Sequence, residues 1–234
     1  MNKEQFIEEC KKININLTNE QLNKLENFYI FMTEYNKKTN LTRITDEKEV
    51  YLKHFYDSLT INKVINLKNY VSLCDVGTGA GFPGIVLKIV FPNLSITLIE
   101  SSNKKCTYLT QLIEKLNLKN VSVVCDRSEN YSKKIRDKYD IVASRAVANL
   151  KVLSELCIPL VKKDGYFIAL KSKADEEIKN SQVILNQLNS KIENVCSFNL
   201  PYENSLRNII VIKKEKITDL KYPRNYKDII KNKY

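Results

Sequence analysis

The stretch Asp75-Val76-Gly77-Thr78-Gly79-Ala80-Gly81-Phe82-Pro83-Gly84 carries the fold of this chain. It follows an apolar run, Tyr70-Val71-Ser72-Leu73-Cys74, that reads as a buried parallel strand. It precedes Ile85-Val86-Leu87-Lys88-Ile89-Val90-Phe91, whose apolar density suits a helix packed on a sheet. Strand, glycine loop and helix in that order bring a nucleotide-like ligand against bare backbone N–H groups. The spacing departs from the dinucleotide fingerprint, because Phe82 stands where its third glycine would fall.

The pattern D-x-G-x-G-x-G, formed by Asp75, Gly77, Gly79 and Gly81, resembles the first motif of class I S-adenosylmethionine (SAM) methyltransferases. The implied ligand is adenosine carrying an amino-acid tail. A second strand, Ser95-Ile96-Thr97-Leu98-Ile99, ends at Glu100, about 20 residues beyond the loop, where an acid can accept both ribose hydroxyls. A carboxylate there repels a 2′-phosphate; the alternative is a strand-end acid facing solvent. Val121-Ser122-Val123-Val124 leads to Cys125-Asp126-Arg127-Ser128-Glu129, placed to flank the adenine, and Asp140 to Ser144 runs into Arg145. Gly165 to Lys171, Ile192 to Phe198 and Asn208 to Ile212 read as later strands, with a polar helix over 174–189. This alternation is the signature of a doubly wound parallel sheet, whose ligands lie beyond the carboxyl ends of the strands. The expected fold is therefore α/β, a Rossmann-like SAM-dependent methyltransferase with a seven-stranded, mostly parallel sheet and helices on both faces.

The 234 residues allow one sizeable core plus an appendage. No apolar run approaches the ~18 residues of a membrane span, and the N-terminus has no apolar signal region. A cytoplasmic protein without a membrane partner is expected. The six cysteines lie far apart with a single histidine, so no metal site and reduced thiols are expected. The net charge of +11 is unevenly spread. Residues 1–65 hold ten basic and ten acidic side chains, whereas residues 213–234 hold eight and three. That basic tail, with Tyr222, Tyr226 and Tyr234 interleaved, fits either a phosphate-backbone contact or a solvated terminus.

The first part of the chain reads as helical. Phe6, Ile7 and Cys10 fall at helical spacing, and Thr18 with Gln21 reads as a capping box opening a longer helix. Leu22, Leu25, Tyr29 and Met32 then form a stripe, and Asp46 to Leu59 reads as a further helix. The expected organisation is a helical extension over 1–65, a SAM-binding core over 66–213 and a basic tail over 214–234.

Together these segments resemble the bacterial 16S rRNA guanine methyltransferases of the RsmG (GidB) family. The resemblance rests on Asn40-Leu41-Thr42, His54-Phe55-Tyr56-Asp57-Ser58-Leu59, Asp75 to Gly84, Ser144-Arg145-Ala146, Leu170-Lys171 and Lys221-Tyr222-Pro223-Arg224. It implies methyl transfer from SAM to ring nitrogen 7 of a guanine in 16S rRNA, at position 527 in the usual rRNA numbering; a monomer is expected. It places SAM contacts on Gly77, Phe82, Ser128, Glu129 and Arg145, beside Asp75, Gly79 and Glu100. Many members carry Ala-Glu in place of Ser128-Glu129, and the family's C-terminus often carries Gly-Thr-Pro after Tyr-Pro-Arg, where this chain has Asn225-Tyr226-Lys227-Asp228-Ile229-Ile230.

Nitrogen 7 has an in-plane lone pair and no proton to lose, so its methylation needs no general base. Positioning and alignment then carry the catalysis. The residues expected to position or contact the guanine are Asn40, His54, Asp57 and Arg145; a structural hydrogen-bonding role for His54 is the alternative. Arg43, Lys171, Lys221, Tyr222 and Arg224 are the expected RNA contacts. A small-molecule methyltransferase explains the loop and Glu100 but leaves the basic tail without a purpose. A SAM-binding ribosome-assembly factor is the third reading, although the glycine loop is intact.

Overall fold

The computed structural model of the chain describes residues 1–145 and 148–231. Ala146 of the Ser144-Arg145-Ala146 motif and Tyr234 of the tail lie outside the described residues.

Helix α1 (Lys3–Lys12) opens on a capping box between Asn2 and Gln5, and α2 (Asn19–Thr39) on the expected box between Thr18 and Gln21. The buried stripe of α2 is Leu25, Phe28 and Met32, with Leu22 and Tyr29 half-buried at its edges. Asp46 caps a single turn, α3 (Glu47–Glu49), after which Val50–Tyr56 widens into a π-helix. A further α-turn, α4 (Asp57–Leu59), and a 3-10 turn, Thr60–Lys63, complete the run. The one helix expected over Asp46 to Leu59 is thus an α-turn, a π-helix and a second α-turn in succession. An ideal helix presents one apolar stripe, whereas the widened turn buries Val50, Tyr51, Leu52, His54, Phe55 and Tyr56 together.

The sheet begins with β1 (Ser72–Val76), followed by α5 (Gly84–Val90), β2 (Ser95–Glu100), α6 (Asn103–Lys115), β3 (Val121–Cys125) and α7 (Ser128–Lys134). The second half runs β4 (Tyr139–Arg145), α8 (Leu150–Cys157), β5 (Val161–Lys171), α9 (Asp175–Gln187), β6 (Ser190–Asn199) and β7 (Leu206–Lys214). A short α10 (Tyr226–Ile230) follows. The seven strands lie in the order β3-β2-β1-β4-β5-β7-β6, all parallel except β7, which runs antiparallel to both neighbours. The order reverses between β1 and β4, so a crevice opens beyond the carboxyl ends of those strands.

One face of the sheet is covered by α8, α9 and the chain's C-terminal segment, with Val142, Phe167, Ile210, Tyr222 and Ile229 in one apolar cluster. On the other face the N-terminal helices share a core with Ile85, Leu87, Leu98 and Leu109. Phe28 ties the two together: its ring lies 5.5 Å from that of Phe55 and stacks at 5.1 Å on Phe82 of the glycine loop. Among the described residues no helix is long and apolar enough to cross a membrane.

Two features differ from the sequence expectations. Cys106 and Cys125 are joined as a disulfide rather than standing as separate thiols. Helix α6 starts directly after β2 and passes over its neighbour β3, which brings these residues side by side with Cα atoms 5.8 Å apart. The described part of the basic tail also folds back on the core. Glu155 is fully buried, and Arg224 meets it through Nε at 2.9 Å and Nη2 at 2.6 Å. A buried carboxylate needs such a partner, so Arg224 serves the core instead of projecting toward RNA. Tyr222 is buried as well, its hydroxyl donating to Gln187 Oε1 at 2.8 Å.

Replacing Phe28 removes an aromatic side chain at the junction of helical cap and glycine loop. Phe28→Ala is expected to cost about 3–5 kcal/mol in urea unfolding and to weaken cofactor binding as well.

Candidate active site

The β1 carboxyl end runs into the glycine loop, where Gly79 adopts φ +60°. Its N–H donates to Glu100 Oε2 at 3.1 Å, and a Cβ built on it would meet only open space at 4.0 Å from Gly77 O. The left-handed backbone and the bare approach together suit a ligand lying on the loop. Gly84 answers a different need. A Cβ there would come within 2.4 Å of Leu98 Cδ2, so α5 can press against the sheet only with glycine at that position. Its amide donates to Asp75 Oδ2 at 2.8 Å.

Asp75 is fully buried beneath the loop. Burial pushes its carboxyl up to about 6, against the opposing pull of the nearby Thr78 hydroxyl, the Gly84 amide and Arg145. Its Oδ1 and the Thr78 hydroxyl oxygen have no hydrogen-bond partner. Glu100 is held by two backbone amides, Gly79 to Oε2 and Ser102 to Oε1 at 2.9 Å. Its oxygens keep lone pairs for further donors.

A cavity of about 560 Å3 opens over these groups. Of the residues expected to contact SAM, Gly77, Gly79, Phe82, Glu100, Ser128, Glu129 and Arg145 line it, whereas Asp75 lies beneath the floor. At the first turn of α7, the Ser128 hydroxyl donates to the Leu156 carbonyl at 3.0 Å. The Ser side chain is thus turned into the protein.

The N-terminal cap closes the other end. The His54 ring stacks on Phe82 with centroids 4.3 Å apart, and the Arg145 guanidinium lies 5.1 Å from the same Phe82 ring. Arg145 Nη2 approaches His54 Nδ1 at 3.3 Å, and Nη1 donates to the Lys53 carbonyl at 3.1 Å and to Asp57 Oδ2 at 3.2 Å. Arginine only donates, so Nδ1 accepts and the imidazole proton sits on Nε2, 3.0 Å from Thr42 Oγ1. Burial first, and Arg145 second, push the His54 pKa down to about 3, against a weaker pull from the Lys53 backbone. His54 is a neutral hydrogen-bonding group and not an acid–base catalyst near neutral pH.

This network identifies a residue that the motif reading passed over. Asn40 ends α2 as an exposed left-handed cap with φ +48°, outside the lining of the cavity. Two residues on, Thr42 lines it, clamped by the Asn36 side-chain amide, which bonds both its N–H and its carbonyl at 3.0 Å. The Thr42 oxygen accepts from Ile44 N–H at 3.1 Å and from His54, which leaves its own proton to donate toward the cavity. Arg207 was likewise not anticipated; on β7 it donates through Nε to Asp57 Oδ1 at 3.1 Å. A polar residue in an antiparallel edge-side strand gave no sequence signal.

A second cavity of about 310 Å3 shares His54 and Arg145 with the first and continues to Asp57, Lys171 and Arg207. Lys171 pairs with Glu177 at 2.7 Å and donates to the Ala148 carbonyl. Arg43 and Lys221 are exposed.

A mostly parallel sheet reversing at a glycine loop, with an acid at the next strand end and an antiparallel β7, is the Rossmann-like fold of SAM-dependent methyltransferases. Solved structures with this fold include a SAM-dependent methyltransferase from Aquifex aeolicus, 18% identical, with a TM-score of 0.54 over 75% of this chain and 97% of that one. MtNAS in complex with MTA and tNA is 14% identical, with a TM-score of 0.55 over 81% of this chain and 74% of that one. The family model for rRNA small subunit methyltransferase G, GidB, matches residues 21–206, and the chain belongs to that family. Ribosomal RNA small subunit methyltransferase G of Bacillus licheniformis is 51% identical over 96% of this chain and 95% of its own length. The Staphylococcus saprophyticus protein of the same name is 50% identical over 90% and 89%. The cofactor is SAM, and the unpartnered Thr78 hydroxyl, the open Gly79 backbone and the Glu100 carboxylate fit its polar groups.

Because the folded carboxyl of Asp75 titrates above its unfolded value, the native state binds the extra proton and loses stability as pH rises from about 4 to about 6. Asp75→Asn removes that loss. Urea unfolding is expected to show the stability difference moving in favour of the Asn variant across this window and levelling above it.

Proposed function

We propose that this chain transfers the methyl group of SAM to nitrogen 7 of a guanine in 16S rRNA, at position 527 as the family resemblance implies. The observation that carries the reading is the pair of cavities divided by His54 and Arg145. The larger takes the cofactor, with Gly77 and Gly79 beneath it, Glu100 at the ribose and the Ser128–Glu129 turn at the adenine. The smaller takes the acceptor base. SAM supplies an electrophilic methyl on a sulfonium, and a ring nitrogen with an in-plane lone pair accepts it without giving up a proton.

The protein's own groups fit such an acceptor. His54, fixed on Phe82, with Arg145 at its Nδ1 and its pKa pushed down to about 3, is a poor base, and none is needed. Asp57 is held by Arg145 on one oxygen and Arg207 on the other, so its carboxylate is rigid and keeps lone pairs for the N1–H and N2–H donors of guanine. Lys53, Arg145, Lys171 and Arg207 line this cavity, each paired with a carboxylate: Lys53 with Glu49 and Glu203, Arg145 and Arg207 with Asp57, and Lys171 with Glu177. Arg43 and Lys221 are exposed and available to more distant phosphates. A small-molecule acceptor would make no use of this charge.

The test is labelled-methyl transfer with small ribosomal subunits and deproteinised 16S rRNA lacking the modification, the product nucleoside being identified by mass spectrometry. Stoichiometric 7-methylguanosine is expected; SAM binding with no transfer to either substrate would overturn the reading. Asp57→Asn is expected to lower kcat/KM for RNA roughly 10- to 100-fold, well beyond its effect on the SAM Kd.

A further inference from the structure

Beyond β7 the chain returns across α8 as a strap. Arg136 clasps it through the carbonyls of Thr218, Asp219 and Tyr222, and Lys133 Nζ donates to Asn225 Oδ1 at 2.9 Å. Arg224 locks it to Glu155, and Ile229 is buried in the core. These contacts hold Tyr226 at the cofactor cavity, beside Asp126, Arg127, Ser128, Glu129 and Leu156. The Arg127 guanidinium lies 4.5 Å from the Tyr226 ring centroid and is tied through Nε to Glu129 Oε1 at 2.5 Å.

This is the β3 side of the cavity, beyond Glu100 and opposite the end held by Gly77 and Arg145. A cofactor whose ribose meets Glu100 carries its base on this side. We propose that Tyr226, with the Arg127 it supports, forms the outer wall against the adenine ring of SAM; this rests on the cofactor placement given above. Aromatic faces and guanidinium planes both stack on purines, and the strap brings one of each to the same place. Tyr226 falls in Asn225-Tyr226-Lys227-Asp228, where the chain departs from the family's usual Gly-Thr-Pro. The strap's aromatic character then serves SAM rather than RNA.

The chain contains no tryptophan, so Tyr226→Trp introduces a single one at the proposed contact. Its emission is expected to change on titration with 5′-methylthioadenosine, which carries adenine and ribose without the amino-acid tail, and to saturate at the calorimetric Kd. Tyr226→Ala is expected to weaken binding of 5′-methylthioadenosine and S-adenosylhomocysteine about ten-fold, and Tyr226→Phe to restore it. Binding of cofactor-free protein to 16S rRNA is expected to stay unchanged in both. An emission that ignores saturating ligand, or a folded Tyr226→Ala protein that binds it as tightly as the parent, would overturn the proposal. Lost RNA affinity with unaltered nucleoside binding would overturn it too, assigning the strap to RNA. If Tyr226→Ala does not fold, the tryptophan variant decides alone. No nucleoside-binding arm depends on methyl transfer, so failure of the rRNA reading would be seen separately.

Discussion

Everything at this site leans on one guanidinium. Arg145 leaves the end of β4 and meets the Lys53 carbonyl, the Asp57 carboxylate, the His54 imidazole and the Phe82 ring. Its side chain is 13% exposed and that of Asp57 is 8% exposed, so the charges have little water to fall back on. Removing one partner from such a buried pair typically costs about 3–5 kcal/mol, because the other is left uncompensated. The helical extension is consequently bound to the sheet by more than apolar contact. The widened helix over Val50–Tyr56 supplies His54 and the Lys53 carbonyl, and the turn after it supplies Asp57.

The site divides along the same guanidinium. On the β1–β3 side the chemistry is that of backbone: a glycine loop, two amides fixing Glu100, and the first turn of α7. Such groups hold a cofactor without changing conformation. On the β5–β7 side it is side-chain charge, with Asp57 gripped between two arginines. In the proposed reading this half meets the acceptor through rigid donors and acceptors, in keeping with catalysis by alignment. The lone histidine belongs to the wall between the two halves, where its burial suppresses the charged form.

The cofactor half was legible in the sequence because loop geometry demands particular residues at fixed spacing. Gly79 needs its left-handed backbone, Gly84 its missing Cβ, and Glu100 its place at the strand end. The strands and the Thr18–Gln21 capping box were legible for the same reason, as local chemistry. What escaped the sequence depends on distant partners. Thr42, not Asn40, reaches the cavity because α2 ends in a left-handed cap that spends Asn40 on the turn. The tail read as cationic and exposed, yet Arg224 is drawn in by Glu155, a carboxylate 69 residues away and itself hidden within an apolar helix. No periodicity encodes that pairing, nor the meeting of Arg207 with Asp57 across 150 residues.

The chain has a single histidine, so its imidazole can be observed without assignment ambiguity. Nitrogen-15 NMR of the labelled protein across pH 4–8 measures both the tautomer and the titration of His54. With Arg145 donating to Nδ1, the spectrum should show a neutral ring protonated on Nε2 that stays neutral down to about pH 4. A ring that titrates near its ordinary 6.5, or carries its proton on Nδ1, would contradict the Arg145-centred site and return general acid–base catalysis to consideration.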